Sequence, residues 1–291
     1  MSTPMKILRM HGVRPRKRLG QTFLQDRNVL RKIVAAAEIR SSETVVEIGA
    51  GLGIMTEVMA GWAGRVVAIE VDPLLAGILR KRLQGQKNVD IVEADVLEYD
   101  FSSARSDLHP EKIKVVGNLP YQISSPILFR LLDFRHVIST AVLMLQKEVV
   151  DRITAAPGTK DYGIPSVMVS MYCRTRRLMD VPGRCFYPEP RVASSVVKLT
   201  MREDPLVAFG DEDAFRSIVR TAFSRRRKTL LNNLRLFRWP GWDEKCMISI
   251  LQEAGIDGRR RAETLSAEEF GGLARQLVSL KKDLDSPVRF C

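Results

Sequence analysis

Five short apolar runs in the first half of the chain constrain its fold more than any other feature. Thr44–Ile48, Arg65–Val71, Val89–Ala94, Lys112–Val116 and Ala141–Leu145 are dominated by Val, Ile, Leu and Ala. None alternates cleanly between apolar and polar positions, as expected of strands covered on both faces. Helical spacing fills the gaps, with Gly53–Gly61 after the first run and Leu74–Leu83 after the second. Strands alternating with helices predict an α/β domain with a mostly parallel, doubly wound, Rossmann-like sheet. Asp26–Glu38 is patterned as an amphipathic helix at the edge of that domain, and Ser194–Met201 as its last strand.

Beyond residue 200 only helical periodicities remain, over Ala214–Phe223, Arg227–Leu236, Asp243–Ala254 and Ala267–Leu280. Ser266 and Glu269 form a capping box for the last of these. A chain of 291 residues, 45% hydrophobic, can fill two cores. The expected division is an α/β domain over 1–203 and a small all-helical domain over 204–291, joined by Arg202–Pro205.

The first strand runs into Glu47-Ile-Gly49-Ala-Gly51-Leu-Gly53. Glycines here let the backbone approach a ligand with positive φ. The dinucleotide pattern G-x-G-x-x-G is not completed, which argues against NAD. The second strand ends at Glu70, where a carboxylate can accept both hydroxyls of a ribose. Asp72, before Pro73, fits a helix cap better. The third ends at Asp95, placed to accept from an adenine amino group. The alternative is an ordinary strand-to-helix turn with capping acids, but these features converge on one sheet edge.

The fourth run delivers Asn118-Leu119-Pro120-Tyr121. An aromatic amine is a poor nucleophile because its lone pair is delocalised. The Asn118 side-chain oxygen and the Leu119 carbonyl can both accept from such an NH2 group, aiming its lone pair at an electrophilic methyl. Pro120 fixes the turn, and Tyr121 offers a face for an extruded base. A plain Asn-x-Pro turn is the competing reading.

The strings RKRLGQTFL (from Arg16), VEIGAGLG, IEVD, EADV, GNLPYQISSPI, MLQKEVVDR, FYPEPRVASSVVKL and AFSRRRKTLLNNL resemble those of KsgA-type small-subunit ribosomal RNA adenine dimethyltransferases. The similarity runs from about Arg16 to the last helices. It implies a class I methyltransferase fold, S-adenosylmethionine as cofactor and no metal. It also implies N6,N6-dimethylation of two adjacent adenines near the 3′ end of small-subunit rRNA during ribosome biogenesis. By resemblance, Thr22, Leu24, Gly49, Gly51, Glu70, Asp95 and Asn118 contact the cofactor. Asn118, Leu119, Pro120 and Tyr121 form the catalytic loop, and Phe186 supplies a second aromatic face opposite Tyr121. Thr22 departs from the Asn or His common in the family and has a shorter reach.

Charge bears on the partner. The chain has 46 Lys and Arg against 34 Asp and Glu, a net charge of +12. That surplus favours a polyanion, since each cation meeting a phosphate releases counterions. Nucleic acid is preferred over an acidic membrane surface, because no spanning or anchoring segment stands out. Two basic segments, Arg16-Lys17-Arg18 and Arg225-Arg226-Arg227-Lys228, are the expected RNA contacts, the second at the start of a helix. The four cysteines are scattered and suggest neither a disulfide framework nor zinc. A cytoplasmic monomer acting on rRNA in the immature small subunit is expected, with no membrane partner. The rivals are an Erm-type large-subunit rRNA methyltransferase and a non-catalytic assembly factor on the same fold. A protein-glutamine methyltransferase would carry Pro where Leu119 stands.

Overall fold

The computed structural model describes residues 3–105, 111–237 and 243–285, and for Lys17 and residues 280–285 the backbone only. Cys291 therefore lies outside the described residues. Strands β1 (Thr44–Ile48), β2 (Arg65–Glu70), β3 (Val89–Glu93), β4 (Ile113–Asn118), β5 (Ile138–Gln146), β6 (Cys173–Val181) and β7 (Ser194–Met201) form one sheet. Their order is β3-β2-β1-β4-β5-β7-β6. The first five are parallel to their neighbours, and β7 runs antiparallel to β5. The expected mostly parallel sheet is present. Its interior strand β1 is buried along its whole length, which explains why Val45, Val46 and Ile48 show no polar alternation. Burying each such side chain contributes roughly 1.5–3 kcal/mol.

The helices are α1 (Pro4–Met10), α2 (Arg27–Ala36), α3 (Ile54–Ala60), α4 (Pro73–Leu83), α5 (Ser124–Asp133), α6 (Lys147–Ile153), α7 (Ile164–Tyr172), α8 (Glu212–Ala222), α9 (Leu230–Leu234), α10 (Glu244–Glu253) and α11 (Ala267–Asp285). Several starts follow from capping chemistry. The Asp26 carboxylate accepts from the Asn28 and Val29 amides at α2. Asp72 caps α4, and Asp211 caps α8. At α11 the Ser266 amide donates to Glu269 while the Glu269 amide donates to the Ser266 hydroxyl, the expected capping box.

Two elements differ from expectation. Strand β6 was not legible, because its residues are mostly exposed and polar and only its ends, Cys173 and Val181, are buried. That is the composition of an edge strand, where charge discourages pairing with another chain. Helix α9 begins at Leu230 rather than Arg227, capped by the Thr229 hydroxyl. Arg225–Lys228 consequently form a turn, closed by the Lys228 amide on the Arg225 carbonyl at 3.0 Å. Four cations would be repelled by the positive end of a helix dipole, so the helix starts beyond them.

Contacts divide the chain into two compact units, residues 1–150 with 174–201 and residues 151–173 with 202–291. The single cut expected after residue 203 thus misses residues 151–173. The reason lies in α7, whose apolar faces are buried within the second unit. The Arg202 amide donates to the Tyr172 carbonyl and the Leu206 amide to that of Met171, both at 2.8 Å. Tyr172 sits edge-on to Phe209 and Phe215, which stack at 4.8 Å, and Phe223 packs on Phe270. In the first unit, Phe23–Leu24 pair antiparallel with Phe186–Tyr187, tying the N-terminal arm to a distant segment.

Candidate active site

A cleft opens at the carboxyl ends of β1, β2, β3 and β4, where the strand order reverses between β1 and β4. Its empty space, open solvent included, is about 990 Å³. Thr22, Leu24, Gly49, Gly51, Glu70, Asp95 and Asn118 all line it, as do Leu119 and Pro120. Phe23, Leu52, Ile54, Ile69 and Val96 give it apolar walls.

The glycine turn is shaped by sterics. Gly49, Gly51 and Gly53 have φ of 71°, 55° and 72°. A Cβ on Gly51 would lie 3.2 Å from the Phe23 ring, and one on Gly53 only 2.2 Å from Leu79 Cδ1. Any larger residue would push the turn away from the cleft or from α4. Glu70, 6% exposed, holds the turn: its Oε2 accepts from the Gly51 amide at 2.8 Å and its Oε1 from the Asp72 amide at 2.9 Å. Burial pushes the Glu70 carboxyl up, opposed by those two hydrogen bonds. Glu47, also on the cleft wall, is fully buried and pushed up to about 8 by desolvation. The Thr56 hydroxyl donates to it, and the nearby Glu70 charge raises it further.

The acids at the other strand ends separate by role. Asp95 is exposed, lines the cleft, and its Oδ1 accepts from the Leu97 amide at 2.9 Å. Glu93 instead pairs with Arg80 at 3.1 Å. Asp72 caps α4 as its position before Pro73 suggested. It also takes two side chains from the arm, which sequence reasoning missed.

Asn118 carries the clearest chemical signature. Its Nδ2 donates to the Thr22 carbonyl at 2.9 Å, which orients the amide. Its Oδ1 is buried without a hydrogen-bond partner. An orphaned buried acceptor costs about 1–3 kcal/mol, so the fold holds it ready for a donor entering the cleft. The Leu119 amide donates to the Met144 carbonyl at 3.0 Å, fixing the loop to β5. Tyr121 is half-buried just outside the cleft lining. Its hydroxyl lies 2.8 Å from Ser194 Oγ, and burial raises its pKa.

Phe186, like Tyr121, is not among the residues that line the cleft. It is 2% exposed and packs in the core with Leu30, Ile33 and Val34 of α2. Phe186 pairs with Leu24 and joins it in the core, whereas Tyr187 pairs with Phe23 on the other face, against Leu52 and Leu75.

The basic residues also divide. Arg18, Arg225, Arg227 and Lys228 are exposed. Arg226 pairs with Glu263 at 3.3 Å and donates to the Lys160 carbonyl. Arg16 is turned inward onto Asp72 at 3.1 Å. Among the described residues, no group of three or more His, Cys, Asp or Glu could hold a metal, and no helix is long and apolar enough to cross a membrane.

These features agree with comparisons to known proteins. A family model described as ribosomal RNA adenine dimethylase matches residues 12–271. The chain is 48% identical to the ribosomal RNA small subunit methyltransferase A of Syntrophus aciditrophicus, over 95% of this chain and 99% of that protein. It is 44% identical to the protein of that name from Geobacter metallireducens, over 94% and 99%. Among solved structures it resembles a dimethyladenosine transferase from Plasmodium falciparum, with TM-score 0.76 and 28% identity over 89% of this chain and 98% of that one. The 23S rRNA methyltransferase ErmE follows at TM-score 0.65, also 28% identical, over 88% and 99%. With the match spanning both units of the fold, this chain belongs to the ribosomal RNA adenine dimethylase family.

Proposed function

We propose that this protein dimethylates the N6 amino groups of two adjacent adenines near the 3′ end of small-subunit rRNA, using S-adenosylmethionine, while the subunit is still immature. The observation that carries the reading is the orphaned, pre-oriented Asn118 Oδ1 on the wall of the cleft at the strand ends. The residues present fit the cofactor. Glu70 faces the cleft and retains lone pairs for ribose hydroxyls, Asp95 can accept from an adenine amine, and Gly49 and Gly51 allow close backbone approach. Thr22 and Leu24 close the wall on the arm side, and Val96 and Ile69 supply apolar contact. When bound, S-adenosylmethionine supplies an electrophilic methyl group on a sulfonium.

The chain's own groups act on the target amine. Asn118 Oδ1 and the Leu119 carbonyl accept its two N–H hydrogens, which favours a pyramidal nitrogen with its lone pair directed into the cleft. Because the amide is already held by Thr22, no reorganisation is needed when the base arrives. Tyr121, tethered through Ser194, gives the extruded base a face to stack on. Arg18, Arg225, Arg227 and Lys228 are available to phosphates and would position the RNA without reading its sequence. We further infer a cytoplasmic enzyme acting as a monomer.

The test is to incubate the protein with methyl-labelled S-adenosylmethionine and separated small and large subunits that lack the modification. Dimethyladenine confined to small-subunit RNA is expected. Label confined to large-subunit RNA would replace this reading with an Erm-type activity. Cofactor binding without transfer to either RNA would leave only an assembly factor.

A further inference from the structure

We propose that Asp72 is a positioning residue that latches the N-terminal arm over the cofactor cleft through Arg16 and Gln21. This rests on the reading of the cleft as the S-adenosylmethionine site. The Asp72 carboxylate is almost wholly buried, with 1% of its side chain exposed. Its Oδ1 accepts from Arg16 Nη1 at 3.1 Å and its Oδ2 from Gln21 Nε2 at 2.9 Å. The Gln21 side-chain Oε1 in turn accepts from the Arg16 amide at 2.8 Å, closing a ring. Each member is satisfied by the next, which is the condition under which a buried charge pair holds its geometry.

The ring sits where it can matter to the cleft. Leu19 to Leu24 line the cleft, so the latched segment is one of its walls. On the far side, Gly20 lies against Pro120, where an added Cβ would be 3.5 Å away. The Thr22 carbonyl accepts from Asn118 Nδ2, and the Gln25 amide donates to the Cys185 carbonyl at 2.8 Å. The arm thus spans from the tip of β2 to the Asn118 loop. At that tip, Glu70 faces the cleft while Asp72, whose amide binds Glu70 Oε1, faces the arm. A loosened latch would open one wall of the cleft and release the carbonyl that orients Asn118. Arg16, which its sequence context marks as an RNA contact, is paired with the buried Asp72 carboxylate while 35% of its side chain stays exposed.

The full-length Arg16→Gln and Asp72→Asn variants test this. Asp72→Asn keeps an oxygen for the Leu74 amide at the α4 cap but cannot accept from both arm side chains. Arg16→Gln and Gln21→Leu alter less buried positions and serve if Asp72→Asn does not fold. In the ligand-free protein, amide hydrogen exchange across residues 19–24 should accelerate about tenfold, with β1 and β4 unchanged. Dissociation of labelled S-adenosylmethionine should quicken about 5- to 20-fold, since such changes fall mainly on koff. Arg16→Lys should restore part of both. The salt dependence of rRNA binding should stay as in the wild type.

Wild-type exchange and dissociation rates in Arg16→Gln would overturn the latch. So would a reduced salt slope with unchanged dissociation, which would make Arg16 a phosphate contact. If the wild type binds no S-adenosylmethionine, the reading of the cleft fails, and the exchange rates still decide the latch.

Discussion

Two basic segments, Arg14 to Arg18 and Arg225 to Lys228, look alike in the sequence, and the structure uses them differently. In the first, Arg16 meets the buried carboxylate of Asp72 and its charge is absorbed into the wall of the cleft. In the second, Arg225, Arg227 and Lys228 are exposed while the backbone beneath them is held. Asn233, 1% exposed, donates through Nδ2 to the Ala222 and Arg225 carbonyls at 2.6 and 3.1 Å. The Leu230 amide donates to the Arg260 carbonyl at 2.7 Å, and Arg260 is itself paired with Glu269. Clustered cations therefore do not by themselves mark a surface for RNA. What decides is whether the fold supplies a buried acid to meet them.

The largest effect should come from the acceptor that the arm side orients. Asn118→Ala should lower methyl transfer by at least about 10²-fold, in the range seen when one oxyanion-hole donor is removed. Cofactor affinity should stay within about tenfold, as for a group acting mainly on the transition state. Single-turnover transfer and equilibrium cofactor binding check both, and full activity would remove Asn118 from the mechanism.

On the other side of the comparison, replacing Arg225, Arg227 and Lys228 together by Ala should weaken rRNA binding at physiological salt by about 10- to 100-fold. The slope of log K against log salt should flatten by about 2–3, with cofactor binding unchanged. An unchanged slope would mean that this turn is only a solvated surface, and the contrast with Arg16 would collapse.

The support beneath the turn can be broken separately. Asn233→Ala removes two hydrogen bonds to backbone carbonyls, leaving the Arg225 carbonyl only the Lys228 amide, and should destabilise the protein by about 1–3 kcal/mol in denaturant unfolding. At denaturant-free conditions it should also weaken rRNA binding more than cofactor binding. Equal losses in both would show that the turn needs no such scaffold.

The last effect concerns Glu47 in the cleft wall and is read from stability alone. Its carboxyl is pushed from 4.5 to about 8 by burial. The folded value is thus above the unfolded one, so the stability it contributes is complete below about pH 4.5 and lost as pH rises towards 8. Glu47→Gln should therefore gain on the wild type progressively over that window, read as converging and then crossing Tm curves. Parallel curves would show that Glu47 is not protonated in the folded state.

Much of the fold was legible because sequence-local rules governed it. Apolar runs ending at Gly49, Glu70, Asp95 and Asn118 announced both the parallel sheet and the edge where the cleft opens. Asp72 before Pro73 and Ser266 with Glu269 announced helix starts. Strand β6 escaped because an edge strand of exposed arginines has no apolar periodicity to read. Residues 151–173 were assigned to the wrong unit because their partners, near Phe209 and Phe270, lie far along the chain. The burial of Phe186 against Leu30, Ile33 and Val34 was not legible because those partners lie far along the chain.

By itself, the sequence determined the strand-helix alternation, the glycine turn, the acids at the strand tips and the Asn118 loop. Each of these follows from residues adjacent in the chain, acting through backbone sterics, capping or a short polar reach. Only the tertiary structure decided which charges and rings are available for function. Arg16 and Asp72 are 56 residues apart, and no local rule pairs them. Once folding buries that carboxylate, its need for a countercharge draws Arg16 onto it, whereas in the turn at Arg225 Arg226 meets Glu263 and Arg225, Arg227 and Lys228 remain exposed.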